Sequence, residues 1–138
     1  MSQKERVRWG IMFLVLCLLG LGGCTMLPVT QDKIRDLEFT VMGEEKIPGE
    51  LLAEIGERSS QAFHMAFSDG NVLYLVVGYG EQAGSGYRIA VEKCYLTESA
   101  IYVDTTLLGP EDGSKTQETS YPYIVLKTEK LDKTIIFQ

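Results

Sequence analysis

Hydrophobic positions in this chain recur mainly at every second residue, a period that predicts half-buried strands. Leu37, Phe39 and Val41 alternate with Glu38, Thr40 and Met42. Phe63, Met65 and Phe67 alternate with Ala62, His64 and Ala66, and Tyr87, Ile89 and Val91 with Arg88, Ala90 and Glu92. Ile101, Val103, Thr105 and Leu107 keep the same spacing, and Tyr123–Lys127 and Thr134–Phe137 add two further short segments. Val72–Val77 is different: an unbroken apolar run rich in β-branched residues, which predicts a strand covered on both faces. Ser68-Asp69-Gly70-Asn71 lies between two of these patterns, and Asp-Gly in that place predicts a hairpin pairing Ala62–Phe67 antiparallel to Val72–Val77. After Pro48 the period changes to helical. Leu51, Leu52 and Ile55 fall on one face, Pro48 suits a first turn, and Glu50 favours that end of the helix dipole. A helix of about ten residues is marginal alone and is expected to dock its apolar stripe on the sheet.

The expected fold is therefore mainly β (α+β). It is an antiparallel β-sandwich or small curled barrel of about seven short strands, with one short N-terminal helix packed on it. No βαβ alternation occurs, so antiparallel pairing is expected throughout. Gly109 to Glu118 is polar, with two glycines and a proline, and reads as a loop.

The first residues follow another pattern. Lys4, Arg6 and Arg8 form a basic start, Ile11 to Leu19 is unbroken apolar sequence, and Leu21-Gly22-Gly23-Cys24 closes it with small residues. That ending resembles a bacterial lipobox, in which the cysteine is acylated and the leader is cut before it. The expected organisation is a lipoprotein signal peptide at 1–23, a lipidated tether at 24–34 and a β domain at 35–138. The apolar segment is shorter than the roughly 20 residues of a membrane span. Lipidation of Cys24 would hold the domain on the extracytoplasmic face of the cell membrane, with two or more acyl chains needed for stable attachment.

Charge sharpens this picture. The whole chain has 13 Lys+Arg and 19 Asp+Glu, a net charge of −6. The leader carries Lys4, Arg6, Arg8 and Glu5, so its removal leaves 10 basic against 18 acidic side chains, a balance of −8. Such a surface is repelled by nucleic acid phosphates and by anionic headgroups, so nucleic acid is not an expected partner. Of three cysteines, Cys17 leaves with the leader and Cys24 is acylated. Cys94 then stands alone, with no internal disulfide, and reads as a small buried apolar thiol.

Candidate chemistry is sparse. Gly78-Tyr79-Gly80-Glu81-Gln82-Ala83 fits a dinucleotide fingerprint after a strand, but Gly84-Ser85-Gly86 and another strand follow where a helix N-terminus is required. His64, the sole histidine, lies between two alanines on a predicted strand and reads as structural. One histidine and one free cysteine cannot build a usual zinc site. No catalytic residue, metal or cofactor is expected. The features left for recognition are the glycine loop Gly80, Glu81, Gln82, Gly84, Ser85, Gly86 and Tyr87, and an aromatic patch of Tyr79, Tyr121 and Tyr123. Long loops in small domains are often functional, and tyrosine is favoured at binding hot spots. The competing reading is that these tyrosines cap strand ends.

The segment Gly84-Ser85-Gly86-Tyr87-Arg88-Ile89-Ala90-Val91, a loop closing in Gly-x-Gly-Tyr before an alternating strand, resembles the C-terminal domain of the protease complex subunit PrcB family. Leu107-Leu108-Gly109-Pro110 and Ser120-Tyr121-Pro122-Tyr123-Ile124-Val125 resemble its later segments, and the likeness runs roughly from Gly70 to Phe137. Ala83 and Gly84 stand where Pro and Thr are common in that family, and Ser85 replaces a Gly. The resemblance implies a non-catalytic lipoprotein subunit of a cell-surface protease complex. The loop is also similar, over a shorter stretch, to the Thr-Gly-Tyr loop of chagasin-type protease inhibitors. The expected function is thus a membrane-anchored, protein-binding module whose partner is an exported protein, a protease among the choices. The alternatives are a protease inhibitor using Gly78–Gly86 and a structural envelope-assembly lipoprotein.

Overall fold

The structure is a computed structural model that describes residues 32–111 and 117–138. The leader, Cys24 and the tether as far as residue 31 lie outside the described residues, as do residues 112–116 of the loop expected after Gly109. In chain order the elements are β1 (Arg35–Asp36), β2 (Thr40–Val41), a 3-10 turn (Glu44–Lys46), α1 (Gly49–Arg58), β3 (Ala62–Asp69) and β4 (Val72–Tyr79). Then come β5 (Gln82–Ala83), β6 (Arg88–Leu96), β7 (Ala100–Leu108), β8 (Thr119–Ser120), β9 (Tyr123–Glu129) and β10 (Thr134–Phe137). The molecule is mainly β, with one α-helix among the described residues.

The strands form two four-stranded sheets, ordered β1-β6-β7-β10 and β2-β9-β4-β3, and a two-stranded ribbon of β5 and β8. Neither four-stranded sheet closes on itself, so the curled barrel is not realised. The hairpin forms as its sequence requires: β3 pairs antiparallel with β4 from Ala62↔Tyr79 to Asp69↔Val72. Its turn centres on Gly70-Asn71, with Gly70 at φ +62°, a left-handed value that glycine reaches without steric cost.

Two clusters of buried side chains explain why these residues form these strands. The first takes Leu73 and Leu75 of β4, Ile124 and Leu126 of β9, Cys94 and Leu96 of β6, and Ile101 and Val103 of β7. Both four-stranded sheets therefore contribute to one core. The second takes Leu51 and Ile55 of α1 together with Tyr74 and Val76 of β4 and Val125 of β9. Successive residues of β4 thus feed opposite clusters, which is why Val72–Val77 is apolar without interruption. The helical stripe behaves as expected: Leu51 and Ile55 are buried and Leu52 packs at the margin.

On β6 the ladder with β7 slips between Val91 and Lys93, leaving Glu92 without a partner across it. Before the slip the odd-numbered Ile89 and Val91 pack on the first cluster, and after it the even-numbered Cys94 and Leu96 belong to that cluster. A bulge adds one residue to one strand and so reverses which parity faces inward.

Three expectations need correction. The single strand expected over Leu37–Met42 shrinks to β2, which pairs with β9, while β1 ends just before Leu37 and pairs with β6 in the other sheet. Leu37, buried between them, belongs to the core, while Phe39 and Val41 are exposed because the chain crosses from one sheet to the other there. Pairing is not antiparallel throughout, since β10 runs parallel to β7 from Thr134↔Ala100 to Phe137↔Val103. The strands between β7 and β10 leave room for the crossover that parallel pairing needs. Finally, the strand tally omitted β5 and β8, which meet from distant parts of the chain.

Candidate functional site

Gly78 opens the glycine loop by making room. A Cβ there would fall 2.2 Å from Cε1 of Phe63, so the ring of Phe63 lies over the bare backbone. Gly80, Gly84 and Gly86 then take φ values of +75°, +96° and +86°, which turn the chain back on itself in a region L side chains rarely adopt.

The loop is pinned rather than free. Gln82 pairs with Ser120 and Ala83 with Thr119. The Gly84 amide donates to the Glu118 carbonyl at 2.6 Å, and the Ser120 hydroxyl donates to the Gly84 carbonyl at 2.5 Å. Gln82 Nε2 donates to the Tyr79 carbonyl at 3.0 Å, and the Tyr87 hydroxyl to the Ala83 carbonyl at 2.9 Å. Of the expected loop residues, Glu81, Ser85 and Gly86 are exposed. Gln82 and Tyr87 are half-buried and committed to the loop's own backbone, while Gly80 and Gly84 are buried. The face offered to a partner is therefore Glu81, Ala83, Ser85 and Gly86, flanked by Glu118, Thr119 and Tyr121, the last 44% exposed.

The three tyrosines of the expected patch do not come together. Tyr79 is half-buried, and its hydroxyl meets Thr105 Oγ1 at 2.5 Å, tying β4 to β7 across the two large sheets. Tyr123 packs against the second cluster, on the opposite face of its sheet from Ile124 and Leu126. Burial, with a smaller contribution from the carboxylate of Glu44, raises the Tyr123 hydroxyl above its ordinary pKa, so it stays a neutral donor. Of the three, Tyr121 is the one exposed.

Cys94 is buried, and that burial, aided by Asp36, pushes its thiol up to about 11. Thiolate, the nucleophilic form, is scarce at neutral pH in such a site. His64 is exposed and stacks on Phe137 with ring centroids 4.4 Å apart and planes at 20°. Among the described residues no three His, Cys, Asp or Glu side chains gather where a metal could be held.

One feature was not visible in the sequence. A cavity of about 280 Å³ is lined by His64, Val77, Tyr79, Val103, Thr105 and Phe137, with neighbours from the same strands and Gln138 just beyond β10. Its walls come from β3, β4, β7 and β10, so no local motif announces it. The alternation of His64 with Phe63 and Met65 was its only trace.

Residues 73–129 match the family model described as PrcB C-terminal. The match runs from β4 through β9, so it contains the pinned loop, the β5–β8 ribbon and the bulged strand. No curated protein and no solved structure matches the chain.

Proposed function

From a chain whose residues 73–129 belong to the PrcB C-terminal family, we propose a non-catalytic docking module of a cell-surface protease complex, held outside the cell by lipid on Cys24. The domain is read as a β-sandwich whose two layers are the four-stranded sheets. The observation that carries the proposal is the pinned loop. Four glycines, the β5–β8 pairing and four further hydrogen bonds hold Glu81, Ser85 and Gly86 outward in one conformation. A loop ordered before contact loses less entropy on binding than a free one, and its exposed peptide groups can bond a partner's backbone. The family link supplies the class of partner, an exported protein of a protease complex.

The anchoring part of the reading has its own measurement. Intact mass of the native protein is expected to show a chain beginning at Cys24 with acyl mass added, and a chain beginning at Met1 with a bare thiol would contradict it. The docking part is tested by affinity capture of the full lipoprotein from detergent-solubilised envelope. Ser85→Arg places a long cation on the exposed face without touching the loop's internal bonds, and is expected to cut recovery of the native partner at least tenfold. Equal recovery by the variant and the parent would remove the loop from the interface.

The same pre-ordering favours a second reading, an inhibitor loop. If the loop blocks a protease, the full chain slows that enzyme at stoichiometric amounts. If it only docks, the protease keeps its activity in the complex.

A further inference from the structure

Four strands form the outer edges of the two large sheets. Three of them are short: β1 and β2 have two residues each and β10 has four. Short edges are one of the ways proteins prevent unwanted strand pairing. The fourth, β3, is eight residues long. Its register with β4 runs unbroken over all eight pairs, so no bulge twists it away. Its sequence, AFHMAFSD, has no Lys, Arg or Pro, and its one acidic residue, Asp69, stands at the end. Among the described residues nothing pairs with its outer side.

The cavity adjoins this edge. His64 of β3 lines it together with Val77 and Tyr79 of β4, Val103 and Thr105 of β7, and Phe137 of β10. At about 280 Å³ it is small for a cofactor-sized ligand, which needs roughly 300–1,000 Å³, but ample for one side chain. The hydroxyls of Tyr79 and Thr105 are bonded to each other; His64 and Gln138 add polar groups at the wall, and the other lining residues, Val77, Val103 and Phe137 among them, favour an apolar side chain.

We propose that β3 is a strand-addition site: an extended segment of another protein pairs with its free edge and inserts one aliphatic or aromatic side chain into the adjoining cavity. Backbone hydrogen bonds supply the affinity in this mode of recognition, and the side-chain pocket supplies the selectivity. A second copy of this chain fits poorly. The β3 residues that alternate away from the helix-side cluster are Ala62, His64, Ala66 and Ser68. Ala and Ser are too small to fill the cavity, and His64 is already stacked on Phe137. The chain's net charge of −6 favours a segment with uncharged or basic flanks over an acidic one. This site is distinct from the glycine loop, and either can fail without the other.

The test is selection of random twelve-residue peptides displayed on phage against the full chain in detergent micelles. Selected peptides are expected to share one large apolar residue in an otherwise extended, non-acidic pattern. Binding is expected to weaken at least tenfold both in Ala66→Lys, which puts a charge on the exposed edge, and in Val77→Phe, which fills the cavity. Ser85→Arg is expected to leave it unchanged. Hydrogen exchange at the amides of β3 is expected to slow when peptide binds. Failure to enrich any peptide, or peptides that bind Ala66→Lys and Val77→Phe as tightly as the parent, would overturn the proposal. So would a dimer in sedimentation that Ala66→Lys dissociates, since the occupant would then be a second copy.

Discussion

Gly78 and Phe63 meet so closely that neither can be changed alone without cost. A methyl at Gly78 would sit 2.2 Å from the Phe63 ring, so Gly78→Ala is expected to lower stability by about 1–3 kcal/mol, the usual range for overpacking. Gly56 is the contrasting case. It lies within α1 with open space around it, and Gly56→Ala is expected to raise stability by about 0.5–1 kcal/mol through reduced freedom of the unfolded chain. Thermal or urea melts of the two variants check both signs. Cys94 gives a pH signature. Its folded pKa, about 11, lies above the ordinary thiol value of 9.0, so the unfolded chain releases the proton first as pH rises. The stabilisation is whole below pH 9 and is lost between about pH 9 and 11. Melts across that window are expected to show a decline that Cys94→Val reduces, the remainder coming from groups such as Tyr123 that are also raised.

Among the elements, the β5–β8 ribbon decides whether the loop is ordered. Each strand has only two residues, so the ribbon depends on the Ser120 to Gly84 bond and the bond from Gly84 to Glu118. Ser120→Ala is expected to cost only about 1 kcal/mol globally. It is expected to speed hydrogen exchange of the Gly84 amide at least tenfold while the amides of β4 stay protected. Nothing in the sequence announces this ribbon, because periodicity needs more than two residues to register. The hairpin of β3 and β4, the helix stripe and β7 were legible, because each carries its signal within one contiguous stretch. The division of β1 from β2 was not. Leu37, Phe39 and Val41 keep the alternating pattern even though the chain changes sheets between them, leaving Leu37 buried and the other two exposed.

For the whole molecule, what was legible was composition and class: a mainly β chain with one docked helix and the family resemblance. Spatial gatherings were not. Tyr79 and Tyr123 share a strand pairing region yet serve opposite faces of their sheet, so three tyrosines near in pattern do not make one patch. The cavity beside β3 draws on four strands, one of them β10, whose parallel pairing with β7 no short-range rule could reveal. Both surfaces proposed for recognition depend on such long-range meetings. The loop is held by residues 118–120, and the edge gains its pocket from the other large sheet. A docking role also requires that the acidic chain find its partner outside the cell, where Cys24 would hold it.

The most direct measurement is photo-crosslinking in the intact envelope from a benzoylphenylalanine placed at Ser85, with one at Glu57 on the exposed side of α1 as control. The account predicts a discrete adduct with an exported protein from position 85 and none of the same mass from position 57. Identical adducts from both positions, or none from position 85, would contradict it.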